Sequence, residues 1–474
     1  MTELSKGWEW ATLDDLAIGS GITDGPFGSN LKSAHYTSDG PRVVRLQNIG
    51  DGRFNDEQAH ISSEHYAQLV KHAVEPGDVL VASLGKVLPR ACVAPSTLGP
   101  AIVKADCIRV RPSDLVAGTY LMHALNSPST RARVTESIKG VGRPRVNLGD
   151  LRALPLPIAP RSEQERIVAA IEEAFSKVDA GEAGLRTVRQ LLRRMRDAVL
   201  AAAVTGRLVP QDPSDTPANK LLADLGVERA SEPPEDLPAT WTTVRLGDLV
   251  SEPLANGKSV RSRPGGFPVL RLTCLKGGGI DLAERKDGDW EARDAASVLV
   301  HRGDFFVSRG NGSLNLVGRG GLVIDQPDPV AYPDTLIRVR VPGHVLAPAL
   351  LALVWNAPIV REQLEPRART TAGIYKVNQS MLSDVWLPLP PPEEQLRLVV
   401  EVERQMLFLE ACERAVEAGL ERSAALRRSV LKAAFEGKLV PQDPSDEPAS
   451  VFLERIRAER AAAPNARRRS RRTA

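Results

Sequence analysis

The chain has 474 residues, 42% hydrophobic and 26% charged, with a formal net charge of +3. This is the balance of a folded globular protein and excludes a disordered or collagen-like chain; the charge is too small to announce a nucleic-acid partner by itself. Four cysteines (Cys92, Cys107, Cys274, Cys412) form no C-x-x-C pair, so neither a zinc site nor a disulfide framework is indicated, and reduced thiols fit a cytosol. Residues 1–159 then read as short strands and turns: "RVVRLQNI" and "ADCIRVR" are strand-like, "EPGD", "SDG" and "DGPFGS" are turn chemistry, and a helix is expected over about 115–127. The opening "MTELSKGWEW" has no apolar signal core, and the longest apolar run, "VLAPALLALVW" (345–355), is too short to span a bilayer. No membrane contact and a cytoplasmic location are therefore expected.

From 160 to 206 the pattern becomes helical. Ile167, Ile171, Ala174, Val178, Gly181, Leu185, Val188, Leu192, Met195 and Val199 follow one another in alternating steps of four and three, the seam of a coiled coil. "PRSEQER" opens this helix with proline and acids, and Gly206 stands where a C-terminal glycine cap belongs. A strap and linker follow over 207–240. A second mixed block runs from 241 to 391, and a second long helix from 392 to 437 opens with "PPEEQLR" and stops at Gly437. Its seam is weaker: Leu398, Val402, Gln405, Leu409, Cys412, Val416, Gly419, Ser423, Leu426 and Val430, where small residues allow close approach and Gln405 is placed to set register. Residues 438–474 hold a second strap, a short amphipathic helix and a tail with five Arg among its last eight residues.

The second half repeats the first. "GRLVPQDPSDTPA" (206–218) returns 231 positions later as "GKLVPQDPSDEPA" (437–449), with eleven of thirteen residues identical. "WEWATLDDL" returns as "WTTVRLGDL", "EPGDVLV" as "HRGDFFV", "CIRVR" as "LIRVR", and "ALNSP" as "VWNAP". A period this long does not suit a solenoid. It predicts a pseudo-two-fold object: two mixed α/β (α+β) blocks joined by two long helices. A helix of such length cannot hide its seam against its own block, so the two helices are expected to pair, antiparallel, with Ile171, Val178, Leu185, Val188, Leu192 and Met195 facing Val402, Leu409, Val416, Leu426 and Val430. The second strap then returns the end of the chain to the first block.

No catalytic constellation appears. "NGKS" (256–259) lacks the glycine a phosphate loop needs, since position 252 is Glu, and "RGNGSLNLVG" (309–318) has Asn315 where a dinucleotide fingerprint needs glycine. The histidines show no metal-ligand spacing, so no metal site is expected. These absences point to a binding or organising protein rather than an enzyme. A coiled-coil scaffold with two protein-binding heads is one such reading.

Two α/β blocks, each followed by a long helix opening "P-x-x-EQ" and by "LVPQDPSD", resemble the specificity (S) subunit of type I restriction–modification systems. "DGPFGSNLKSAHY", "VVRLQNIGDGRF", "VEPGDVLV" and "VGRPRVNL" in the first block carry the likeness. So do "GDFFVSRGNGS", "LVGRGGLV" and "IYKVN" in the second. The resemblance implies that each block is a target-recognition domain reading one half of a bipartite, asymmetric site on double-stranded DNA. It implies that the long helices hold the spacing and dock two modification (M) methyltransferase subunits, joined by two restriction (R) subunits. S-adenosylmethionine, ATP and Mg2+ would belong to those partners, and this chain would hold no cofactor and catalyse nothing.

Base readout favours Arg, Lys, Asn and Gln on loops, and phosphate contacts come from Arg, Lys, Ser and backbone N–H. In the first block these are Ser29, Asn30 and Lys32 near glycines, Lys86 and Arg90 on "LGKVLPR", and Arg143 and Arg145 on "GRPR". In the second they are Arg309, Asn311 and Ser313 on "SRGNGS", with Tyr375 and Lys376 on "IYKVN" in the place of Arg143 and Arg145. Arg145 and Arg309 are the leading single candidates.

Overall fold

Each long helix starts at a proline and stops at a glycine, and both stops are built alike. In the computed structural model, which describes residues 4–137, 144–227, 237–371 and 373–462, the helices are Arg161–Val204 and Pro392–Phe435, 44 residues each. Gly206 and Gly437 have φ of 68° and 67°, the left-handed conformation that favours glycine. The next N–H closes the end by donating five residues back: Arg207 to the Ala202 carbonyl at 2.9 Å, Lys438 to Ala433 at 2.8 Å. The positions are also too tight for a side chain, since a Cβ on Gly206 would stand 2.3 Å from Pro238 Cγ.

The chain divides into two compact units: Met1–Arg186 with Glu417–Ala474, and Thr187–Val416. Each therefore contains one block, half of each long helix, and the strap that follows the other block's helix. In the first unit, strand Glu9–Thr12 pairs antiparallel with Pro155–Ile158, and a four-stranded antiparallel sheet has the order Ala17–Asp24, Cys107–Pro112, Val79–Ala82, Arg90–Val93. A second sheet orders His60–Ile61, Tyr36–Val44, Ala101–Val103 and Ala73–Val74. The expected helix is present as Gly118–Asn126; it is followed by Pro128–Ser137, which the sequence reading did not foresee.

The second unit repeats the central ladder. Thr242–Arg245 pairs with Trp386–Leu389, and Phe305–Ser308 lies between Leu336–Val339 and Gly320–Leu322, antiparallel to both. It adds a small sheet of Gly310–Asn311, Ile374–Lys376 and Arg369–Thr371. The mixed α/β class is borne out, as is the internal repeat.

The straps explain their own duplication. In the first unit the buried Glu163, at the start of the first long helix, accepts from Trp8 Nε1 at 3.0 Å and from strap residue Gln442 Nε2 at 2.5 Å. Arg166 pairs with strap residue Asp446 at 2.6 Å. In the second unit Glu394 accepts from Trp241 Nε1 at 2.8 Å and Gln211 Nε2 at 2.6 Å, and Arg397 pairs with Asp215. Burial pushes both glutamates up from their ordinary range; the hydrogen bonds and neighbouring arginines oppose that rise. Each strap thus clasps the start of the other strap's helix. Beyond the second strap, helix Ala449–Ala462 buries Phe452, Leu453 and Ile456 in the first block's core, as the reading of a returning chain end required.

The helices run antiparallel within each unit. In the first, Asp179 and Glu182 pair with Arg427, and a Cβ on Gly419 would stand 2.9 Å from Leu185 Cδ1, so that glycine does permit close approach. In the second, Arg196 pairs with Glu413 at 3.3 Å, and Val199 and Ala203 share a core with Leu398 and Val402. Ile171, Val178, Leu192, Val402, Leu409 and Val416 are buried as expected, and Leu185 and Val430 half-buried. Three expectations fail: Val188, Met195 and Leu426 are 41%, 49% and 52% exposed. The seam keeps one heptad series (171, 178, 185, 192, 199) but takes the other one residue later, at Phe175, Glu182, Arg196 and Ala203. Glu182 and Arg196 make ion pairs across the helices, which an apolar count cannot detect.

Candidate nucleic-acid interface

The same hairpin connection carries candidates in both blocks. In the first it joins Val79–Ala82 to Arg90–Val93 and presents Lys86 to solvent. In the second it joins Phe305–Ser308 to Gly320–Leu322 and carries Arg309, Asn311 and Ser313. The foot of each connection pairs with a distant segment. Leu84 bridges Arg145, and Gly310 and Asn311 pair with Lys376 and Tyr375. Lys376 therefore occupies the place that Arg145 has in the first block, as the alignment of the halves expected.

In the first block Arg145 links two candidate loops. Its guanidinium lies 5.5 Å from the centre of the Phe27 ring, beside the exposed Ser29, Asn30 and Lys32, and it pairs with Asp106 Oδ1 at 2.6 Å. His65 Nε2 lies 2.9 Å from the Asn30 carbonyl. Arg90 serves a different purpose: it donates Nε to the Ile49 carbonyl at 2.6 Å and Nη2 to Leu46 at 3.0 Å, so it braces the neighbouring loop. Arg143 lies outside the described residues, as does the basic tail.

In the second block Arg309 is half-buried, and Nη1 makes one long hydrogen bond, 3.4 Å to the Asp334 carbonyl. Asn311 Oδ1 accepts from the Ser313 N–H at 3.1 Å, tightening the loop. Tyr375 is half-buried and Lys376 exposed. The sheet adds a residue that sequence reasoning missed. Arg369 is exposed directly opposite Lys376 in the antiparallel pair. Like charges so placed repel and weaken the sheet, and an anion between them would relieve that repulsion. Only the strand register brings the two together. Beside the connection lies a cleft of about 1110 Å³ lined by Ser308, Asn311, Arg319, Asn356 and Arg361 among others.

Three of the four thiols are buried. Burial pushes Cys92, Cys107 and Cys274 up to about 12, which keeps them protonated. Among the described residues no helix is long and apolar enough to cross a membrane.

No family model matches the chain. It is similar over nearly its whole length to specificity subunits of type I restriction enzymes. The EcoKI subunit of Escherichia coli K12 is 26% identical over 479 aligned residues, covering 97% of each chain. The StySPI subunit of Salmonella potsdam is 25% identical, covering 97% of this chain and 96% of the relative. Among solved structures, a chain described in terms of complex assembly and conformational transition of the type I R-M system superimposes with a TM-score of 0.63 at 19% identity, over 92% of this chain and all of that one. The resemblance read from the sequence motifs is borne out, and the fold is that of the solved chain.

Proposed function

We propose that this chain is the DNA sequence-specificity subunit of a type I restriction–modification complex. The observation that carries the proposal is the end-to-end similarity to such subunits, spanning both blocks, both helices and both straps. The reading loops give it a physical basis. Each block offers one hairpin connection pinned at its foot to a second segment, carrying Lys86 in the first block and Arg309, Asn311 and Ser313 in the second, and each is equipped to read one half of a bipartite site. The blocks differ in those loops and agree in their straps, as division of labour on a common frame requires. A scaffold with two protein-binding heads does not account for Arg369 opposite Lys376 and is not favoured.

In this reading Arg309, Asn311 and Lys86 reach base edges, while Lys376, Arg369 and backbone N–H groups near Ser29 and Ser313 hold phosphates. The chain acts in the cytoplasm and contributes no reacting group. The long helices set the spacing of the half-sites and dock two M subunits. S-adenosylmethionine for adenine methylation belongs to those subunits, and ATP and Mg2+ serve two R subunits. The purified chain alone should therefore neither methylate nor cut DNA, and methylation should appear when M subunits and S-adenosylmethionine are added. The test is to exchange residues 1–159 for the first block of another such subunit and sequence the methylome. One half of the methylated sequence should change and the other should not. A change in both halves, or in neither, refutes the two-reader model.

A further inference from the structure

Both blocks contain a short motif with no counterpart in the reading above: "NSPSTR" at 126–131 and "NAPIVR" at 356–361. The asparagines do the same thing. Asn126 Oδ1 accepts from the Ala91 N–H at 2.9 Å, and its Nδ2 donates to the Ala91 carbonyl at 2.8 Å. Asn356 accepts from the Gly320 N–H at 3.1 Å and donates to the Gly320 carbonyl at 2.9 Å. Ala91 and Gly320 stand on the strand that leaves the reading connection in each block. The side-chain amide thus acts as a strand partner at the point where the loop rejoins the ladder.

The arginines then reach into the loop. Arg131 donates Nε to the Pro89 carbonyl at 3.1 Å, while its Nη2 is held by Asn126 Oδ1 at 3.1 Å and Asp51 at 2.7 Å. Arg361, 7% exposed, donates Nη1 to the Val317 carbonyl at 2.7 Å and Nη2 to Leu314 at 3.2 Å, with Glu365 as counter-ion at 2.8 Å. Trp355 Nε1 takes the Gly318 carbonyl at 2.9 Å. None of the carbonyls the arginines take belongs to a strand or a helix. A planar guanidinium with donors in a fixed fork suits this task, and an ammonium does not.

We propose that Asn126 with Arg131, and Asn356 with Arg361, form a duplicated clamp that fixes the backbone of each reading loop and so determines sequence discrimination without touching DNA. These are positioning residues, and the inference rests on the reading that the hairpin connections contact bases. A base contact discriminates only while its loop is held in one conformation, since a loop that samples several meets several bases. Phosphate contacts tolerate such sampling, so the clamp bears on specificity rather than on overall affinity.

The test uses the full complex with its M subunits and the variants Arg361→Met, Arg361→Lys and Arg131→Met, with Asn311→Ala and Arg309→Ala as loop controls. Arg361→Met should lower the ratio of specific to non-specific binding by roughly tenfold or more. It should relax the second half-site in the methylome, keep the first intact, and leave the salt dependence of non-specific binding unchanged. Arg131→Met should do the mirror. Arg361→Lys covers the case where Met does not fold: amide exchange should quicken over 309–319 and not in the flanking strands, with partial relaxation of the same half-site. If the loop controls relax the second half-site while folded Arg361 variants keep wild-type discrimination and exchange, the clamp is overturned and the reading stands. If the loop controls change nothing, the reading itself falls and takes the clamp with it.

Discussion

Arg309 is the side chain through which base readout in the second block is most directly tested. Its guanidinium carries one long hydrogen bond within the protein, so its removal should leave the fold intact. Arg309→Ala should cost about 1–3 kcal/mol of specific binding and relax one position of one half-site. Lys376→Ala should instead weaken all sequences alike and lower the salt slope by about 1, because a phosphate contact carries no base information. Salt titrations on matched and mismatched duplexes separate the two. Titration at His123 supplies a stability test at the same scale. Burial against Phe175, ring centroids 5.8 Å apart, holds this imidazole down at about 4 from an ordinary 6.5. The folded state keeps it neutral while the unfolded chain binds a proton, so its contribution is full above pH 6.5 and lost as pH falls to about 4. The loss reaches about 3 kcal/mol. His123→Gln should flatten the melting curve of the first unit across that window relative to wild type; an identical pH dependence would refute the assignment.

Among the elements, the long helices carry a prediction that distinguishes their observed seam from the one the apolar residues suggest. Leu192 is 6% exposed and Met195 and Val188 are not buried. Leu192→Asp places an unpaired charge in the seam and should cost about 3 kcal/mol or more. Val188→Glu and Met195→Glu lie on the solvent side and should stay within about 0.5 kcal/mol. Chemical denaturation of the three variants decides: equal costs at Leu192 and Met195 would restore the register read from the apolar residues alone. The straps show why an element is written twice. Gln442 and Asp446 in one meet Glu163 and Arg166, and Gln211 and Asp215 in the other meet the equivalent Glu394 and Arg397, each pair at the start of a long helix. Two equivalent sockets need two equivalent plugs.

Each unit of the whole molecule is assembled from segments far apart in sequence. The first block's core includes Leu431, Phe435, Phe452, Leu453 and Ile456 from the end of the chain. Deleting residues 438–474 should therefore destabilise the first unit and spare the second, whose strap and short helix Ala218–Asp224 are untouched. Each buried Phe, Leu or Ile lost removes about 1.5–3 kcal/mol of hydrophobic stabilisation. Differential scanning calorimetry should show one transition moving down and the other holding. The same logic bears on block exchange. A foreign block grafted as residues 1–159 alone must pack against the resident helix Ala449–Ala462, and should melt lower than a graft that brings its own residues 438–474.

Local signals in the sequence were enough to reveal the duplication, the two long helices and their caps. Proline, acidic first turns and terminal glycines act within a few residues, and a 231-residue repeat is visible without coordinates. The candidates on both connections were likewise legible, Lys86 on "LGKVLPR" and Arg309, Asn311 and Ser313 on "SRGNGS". What only the tertiary structure decided are the matters that depend on register between distant segments. Glu182 and Arg196 make ion pairs across the helices while Val188 and Met195 face solvent, a choice of face that the apolar pattern does not record. Arg90 spends its donors on Leu46 and Ile49, two carbonyls more than forty residues away, so a basic residue that reads as a DNA contact is instead a brace. Arg369 stands opposite Lys376 only once strand pairing is set. The strength of a guanidinium for DNA depends on the partners left over after folding, and those partners are chosen by packing that no local pattern records.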